Sequence, residues 1–133
     1  LIWPTDNAPI VLVIDDNEGL LQLFQRYLAG YVWQVIGVTD GVAARQTLEA
    51  IRPTVIILDV MMPKEDGWAI QQWLKATAAT ATIPVVICSV LNEPQLAQSL
   101  GAAAYLPKPV TQRALLQQLA RWWPTAASPP SAH

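Results

Sequence analysis

Five short runs of the chain are apolar at nearly every position: residues 10–14, 33–38, 55–58, 85–88 and, more weakly, 103–106. They are rich in Val and Ile and lack an apolar–polar alternation, as expected of strands covered on both faces. Between them lie stretches whose apolar residues recur at helical spacing, at 18–29, 42–51, 68–77, 95–100 and 112–123. Each has capping chemistry at its start: Asn17, Asp40, Asp66, Asn92 with Pro94 two residues on, and Thr111. The pattern predicts a strand followed by a helix, five times over.

Parallel strands joined by right-handed crossovers place helices on both faces of one sheet. The short length favours an α/β, flavodoxin-like (βα)5 fold, a doubly wound five-stranded parallel sheet of order 2-1-3-4-5. At 133 residues, 53% hydrophobic and 14% charged, the chain has the size and composition of one folded domain. That domain is expected over residues 9–123, with a linker at 1–8 and a flexible tail at 124–133, where Pro, Ala, Ser and Thr predominate. The first residue is Leu, which is expected of a segment from a longer protein.

Charge narrows the range of functions. A formal net charge of -2, with Lys and Arg scattered singly, offers no field for nucleic acid, so no direct nucleic acid contact is expected. No stretch approaches the roughly 18 to 20 apolar residues that span a bilayer, and the start lacks the plan of a secretion signal. No membrane association is expected, and the chain reads as cytoplasmic. Cys88, the only cysteine, lies inside an apolar run and reads as a buried structural thiol, which excludes a disulfide framework. Six tryptophans are many for this length. Trp33 is expected to pack on the sheet, and Trp68 and Trp73 to fall on different faces of the third helix. Trp122 is expected to extend an apolar stripe with Leu115 and Leu119, with Trp123 beside it as a contact patch. His133 reads as a tail residue rather than a ligand.

In sheets of this kind ligands sit outside the carboxyl ends of the strands. The residues there are Asp15 and Asp16 after the first strand, Asp59 after the third, Ser89 after the fourth and Lys108 after the fifth. Taken singly, the aspartates could end strands or favour a helix dipole, and Lys108 could be a solvated loop residue. Taken together, three carboxylates at one edge repel by about 4 kcal/mol per pair at 4 Å and an effective dielectric near 20, so they call for a cation or raised pKa values. Mg²⁺ (or Mn²⁺) suits such oxygen ligands. An Asp is also a competent nucleophile toward phosphorus once its charge is offset.

The segments Val11-Leu12-Val13-Ile14-Asp15-Asp16-Asn17, Ile57-Leu58-Asp59-Val60-Met61-Met62-Pro63 with Asp66-Gly67, Val86-Ile87-Cys88-Ser89, and Gly101-Ala102 leading to Tyr105-Leu106-Pro107-Lys108-Pro109 stand in order, each at the end of its own strand. Together they resemble the successive motifs of response-regulator receiver domains, the phosphoacceptor domains of two-component signalling that include the chemotaxis regulators. The resemblance covers about residues 9–123. It implies that Asp59 is the phosphoacceptor, that Asp16 and Asp59 bind the metal directly and Asp15 through water, and that the Met61 backbone carbonyl is a further ligand. Lys108 would contact the phosphoryl group, Ser89 would turn toward it, and Tyr105 would follow as the switch aromatic. The Lys108–Pro109 bond would be cis. A histidine kinase or phosphotransfer protein would donate the phosphoryl group. An output domain or effector would read the face made by the fourth helix, fifth strand and fifth helix.

Three positions depart from the family pattern. Val90 stands where a small residue is usual and is expected to narrow access for the donor, while Met61 and Leu91 are bulky and apolar where water approaches the phosphoryl group. The fourth and fifth helices are rich in Gln, so any weak homodimer through that face is expected to use apolar and amide contacts rather than charge pairs. The reading is of a self-modifying signalling domain, not a turnover enzyme. The alternatives are a phosphorylation-independent receiver-like interaction module, and a phosphatase of the haloacid-dehalogenase type. The latter pairs its nucleophile with a second Asp two residues on, where this chain has Met61.

Overall fold

The computed structural model describes residues 8–123. The expected tail at 124–133 with His133, and all but the last residue of the expected linker, lie outside the described residues. The elements run β1 (Ile10–Ile14), α1 (Glu18–Leu28), β2 (Gln34–Val38), α2 (Gly41–Ala50), β3 (Val55–Leu58), β4 (Met61–Met62), β5 (Glu65–Asp66), α3 (Gly67–Ala76), β6 (Val85–Ser89), α4 (Pro94–Ser99), β7 (Ala104–Pro107) and α5 (Gln112–Ala120). Five strands form one parallel sheet in the order β2-β1-β3-β6-β7, which is the expected 2-1-3-4-5 order, counted over this sheet alone. The added pair β4–β5 is a small antiparallel hairpin that sequence periodicity did not foresee.

The unbroken apolar runs have a direct explanation in the two layers. Val11, Val13, Val55, Ile57, Val86 and Cys88 face one layer, where Phe24 and Leu28 of α1 and Leu115 and Leu119 of α5 pack on them. Their neighbours Leu12, Ile14, Ile56, Leu58, Val85 and Ile87 face the other, against Ala44 of α2, Ile70 and Leu74 of α3 and Ala97 of α4. Because successive strand residues point to opposite faces, burial on both sides removes the period of two. Trp33 is buried in the first layer, as expected. Trp68 and Trp73 are both half-buried against the second, with the Arg45 guanidinium 5.1 Å from the Trp73 ring centroid.

Asn17, Asp40, Asp66 and Thr111 cap α1, α2, α3 and α5 through their side chains. The fourth helix departs from expectation. Its cap is Glu93 rather than Asn92, with no side-chain hydrogen bond, because Pro94 takes the first helical position and puts the cap immediately before it. Helix α5 ends at Ala120, three residues sooner than its apolar stripe, although Trp122 and Trp123 still pack on the first layer. No helix among the described residues is long and apolar enough to cross a membrane.

Candidate phosphoacceptor and metal site

The carboxyl ends of β1, β3, β6 and β7 deliver the acidic edge. The sheet ladder continues one residue past two of them: Asp15 N–H donates to Val38 O at 3.0 Å, and Asp59 N–H to Ile14 O at 2.9 Å. Both aspartates are thus held by backbone bonds before their side chains are considered. Asp15, Asp16 and Asp59 each offer a carboxylate oxygen, all within 4.8 Å of one another. Asp15 and Asp59 are buried, whereas Asp16 is exposed.

Lys108 crosses the gap between the two buried carboxylates. Its Nζ donates to Asp15 Oδ2 at 2.7 Å and to Asp59 Oδ2 at 3.2 Å. The remaining oxygens accept from the backbone, Asp15 Oδ1 from Asn17 N–H at 2.9 Å and Asp59 Oδ1 from Met61 N–H at 2.8 Å. Burial is the main cause that raises the Asp15 pKa and the Asp59 charge adds to it, while Lys108 and the Asn17 amide pull it back. For Lys108, burial opposes the charge, but the hydrogen bond and charge of Asp15, with the charge of Asp59, carry the ammonium above its ordinary value.

Ser89 ends β6, fully buried, and its Oγ accepts from Leu91 N–H at 3.2 Å. Its carbonyl accepts twice, from Lys108 N–H at 3.0 Å and from the Tyr105 hydroxyl at 3.3 Å. The Lys108–Pro109 peptide bond is cis. All the residues singled out at the strand ends therefore meet at one edge, and Tyr105 reaches them through Ser89. Around that edge Val90 and Met61 stand exposed, at 67% and 46%.

One ammonium among three carboxylates leaves two negative charges unmatched, and every donor is oxygen. That set fits a divalent cation of the Mg²⁺ or Mn²⁺ kind. Two structural features beside the edge were given no role in the sequence reading. A Cβ on Gly67 would collide with Val60 Cα and the Asp59 carbonyl oxygen, so only glycine lets α3 start against the turn that follows Asp59. Glu65 reaches α2, where its Oε2 accepts from Gly41 N–H at 2.7 Å. The Asp66-Gly67 pair signalled the first, and nothing local signalled the second.

Comparison with known proteins agrees with this geometry. The family model for the response regulator receiver domain matches residues 11–120. The transcriptional regulatory protein GltR of Pseudomonas aeruginosa is 31% identical over 116 residues, covering 85% of this chain and 48% of its own length. The chain thus spans about half the length of the curated relatives it matches. The signal receiver domain of a histidine kinase from Syntrophus aciditrophicus is 29% identical with a TM-score of 0.77, over 95% of this chain and 98% of that one. The chemotaxis protein CheY4 of Vibrio cholerae is 26% identical with a TM-score of 0.80, over 86% and 98%. With the fold, the acidic edge and the ordered motifs all in agreement, this chain belongs to the response regulator receiver domain family, the phosphoacceptor domains of two-component signalling.

Proposed function

We propose that Asp59 accepts a phosphoryl group from the phosphohistidine of a kinase or phosphotransfer protein and that Ser89 and Tyr105 pass the change to the α4–β7–α5 face. The observation that carries this reading is the state of the Asp59 carboxylate. It is 4% exposed at the end of a central strand, with Oδ1 fixed by Met61 N–H and Oδ2 beside the Lys108 ammonium. A carboxylate held this way has lost the freedom that otherwise slows attack. A carboxylate oxygen bonds to phosphorus, the bond from phosphorus to the donor imidazole nitrogen breaks, and the electron pair leaves with that nitrogen. Lys108 stays paired with Asp15 and offers its charge to the developing phosphoryl oxygens. A divalent cation held by Asp15, Asp16, Asp59 and the Met61 carbonyl would neutralise further charge on those oxygens.

The new group adds a charge of about -1.5 to -2. The Ser89 hydroxyl, which now accepts from Leu91 N–H, turns toward it, and Tyr105, bonded to the Ser89 carbonyl, lies next in line. The switch biases an existing equilibrium and is not repeated turnover of a substrate. We place an output domain or effector on the far side of that switch and no nucleic acid on this domain itself. The test is intact mass after incubation with Mg²⁺ and acetyl phosphate or a phosphoramidate, beside Asp59→Asn. The expected result is a gain of about 80 Da, one phosphoryl group, that is base-labile and absent from the variant. No gain with either donor or with a promiscuous kinase would instead make the chain a constitutive interaction module.

A further inference from the structure

The hairpin that follows Asp59 is too small to hold its own shape. Its strands have two residues each, paired Met61 to Asp66 and Met62 to Glu65, and such a pair contributes little stability in water. Two of its polar ties are local: Met61 N–H to Asp59 Oδ1, and Asp66 Oδ1 accepting from Trp68 N–H at 3.0 Å. The Glu65 carboxylate reaches a different element altogether, across 24 residues, to the first residue of α2. There Asp40 already accepts from Ala43 N–H at 2.7 Å, so Glu65 serves another of the four amides that every helix start leaves unbonded. A carboxylate at that end is also favoured by the helix dipole. The fit is close on the other side too, since a Cβ on Gly41 would stand 2.5 Å from Glu65 Oε1.

We propose that Glu65 is a positioning residue for the phosphoacceptor edge: by pinning the β4–β5 hairpin to the start of α2 it fixes Met61 against Asp59. The Met61 peptide holds one Asp59 oxygen through its N–H and belongs to the proposed ligand set through its carbonyl. A hairpin free to rotate would shift both together. This inference rests on the reading of that edge as a cation site.

The test uses the whole chain with Glu65→Ala, Glu65→Gln, Gly41→Ala and the Glu65→Ala/Gly41→Ala pair. Mg²⁺ affinity is read by calorimetry, and hydrogen exchange of the Gly41 and Met61 amides is read without metal. Glu65→Ala is expected to weaken Mg²⁺ binding about tenfold, the low end for groups that orient metal ligands, and Gly41→Ala, whose added methyl meets only the end of the Glu65 side chain, to weaken it less. The pair should be no worse than Glu65→Ala alone, because the added methyl acts only through the Glu65 side chain. Glu65→Gln, which keeps an acceptor, should bind more like the parent than like Glu65→Ala. In Glu65→Ala the amide at position 61 should exchange faster while that of Leu58 does not. Parental Mg²⁺ affinity in Glu65→Ala would overturn the proposal, as would unchanged exchange at Met61 or a Gln variant as weak as the Ala one. A parent protein that binds no Mg²⁺ would overturn the cation reading and the positioning role with it, while the exchange data would still separate that failure from the lack of a clasp.

Discussion

Two apolar side chains, Met61 and Leu91, stand two positions beyond Asp59 and Ser89, and their amides are bonded to the side chains of those same residues. Neither offers a polar atom that could orient a water for attack on a phosphoryl group at Asp59. The phosphorylated form should therefore persist for minutes or longer, and Met61→Asn should shorten its lifetime by about tenfold, equivalent to about 1.4 kcal/mol of barrier. Decay followed by intact mass checks both points, and a parental half-life of seconds would sink the idea. On the opposite face of β6, Cys88 is fully buried, and burial pushes its thiol from 9.0 up to about 12. Between those values the unfolded chain has lost this proton while the folded chain keeps it, so the unfolded state binds fewer protons and stability falls as pH rises. The slope from one proton is about 1.4 kcal/mol per pH unit. Denaturant titrations from pH 9 to 12 should show a steeper decline for the parent than for Cys88→Ala. Equal slopes would mean that the thiol titrates alike in both states.

Among the helices, α4 is the weakest by construction. It has six residues, a single buried residue in Ala97, and a cap, Glu93, that makes no side-chain hydrogen bond, whereas the other four helices are all side-chain capped. Its amides should show the lowest protection of the five helices in hydrogen exchange, in keeping with its place beside the switch proposed for Ser89 and Tyr105. Glu93→Ser should slow that exchange and add about 1 kcal/mol of stability, the usual worth of a cap. Unchanged exchange would show that the cap is not what limits this helix. The same element is the one whose capping residue sequence reasoning misplaced. The strands and the other helix starts were legible to within a residue because two-sided burial leaves runs of Val and Ile, and because Asn17, Asp40, Asp66 and Thr111 are strong local signals. Asn92 was a good capping residue in the wrong place, since Pro94 sets the start. The β4–β5 hairpin left no trace because two-residue strands have no period to read.

At the scale of the molecule, the acidic edge was legible because each of its members ends a strand, and strand ends in a parallel sheet converge whatever lies between them. The Glu65 contact was not, because its partner is a backbone amide at the start of a different helix, 24 residues away. The sequence also could not show how Lys108 divides itself. With side chains 17% exposed for Lys108, 2% for Asp15 and 6% for Asp59, it is the cation that both buried carboxylates share. Removing it as Lys108→Met leaves buried carboxylates unpaired. The cost should be about 2–3 kcal/mol, below the ~3–5 typical of a fully buried pair because Lys108 keeps some contact with water. Saturating Mg²⁺ should recover much of that loss. In the parent, a cation at a hundred times its Kd adds about 2.7 kcal/mol through linkage alone. In Lys108→Met it meets a site with no ammonium to share the carboxylates, so it should bind more tightly and add more. Thermal unfolding with and without Mg²⁺ should then show a larger rise in Tm for Lys108→Met than for the parent, and a smaller one for Asp59→Asn. Equal rises in all three would place the bound cation away from Asp59 and Lys108.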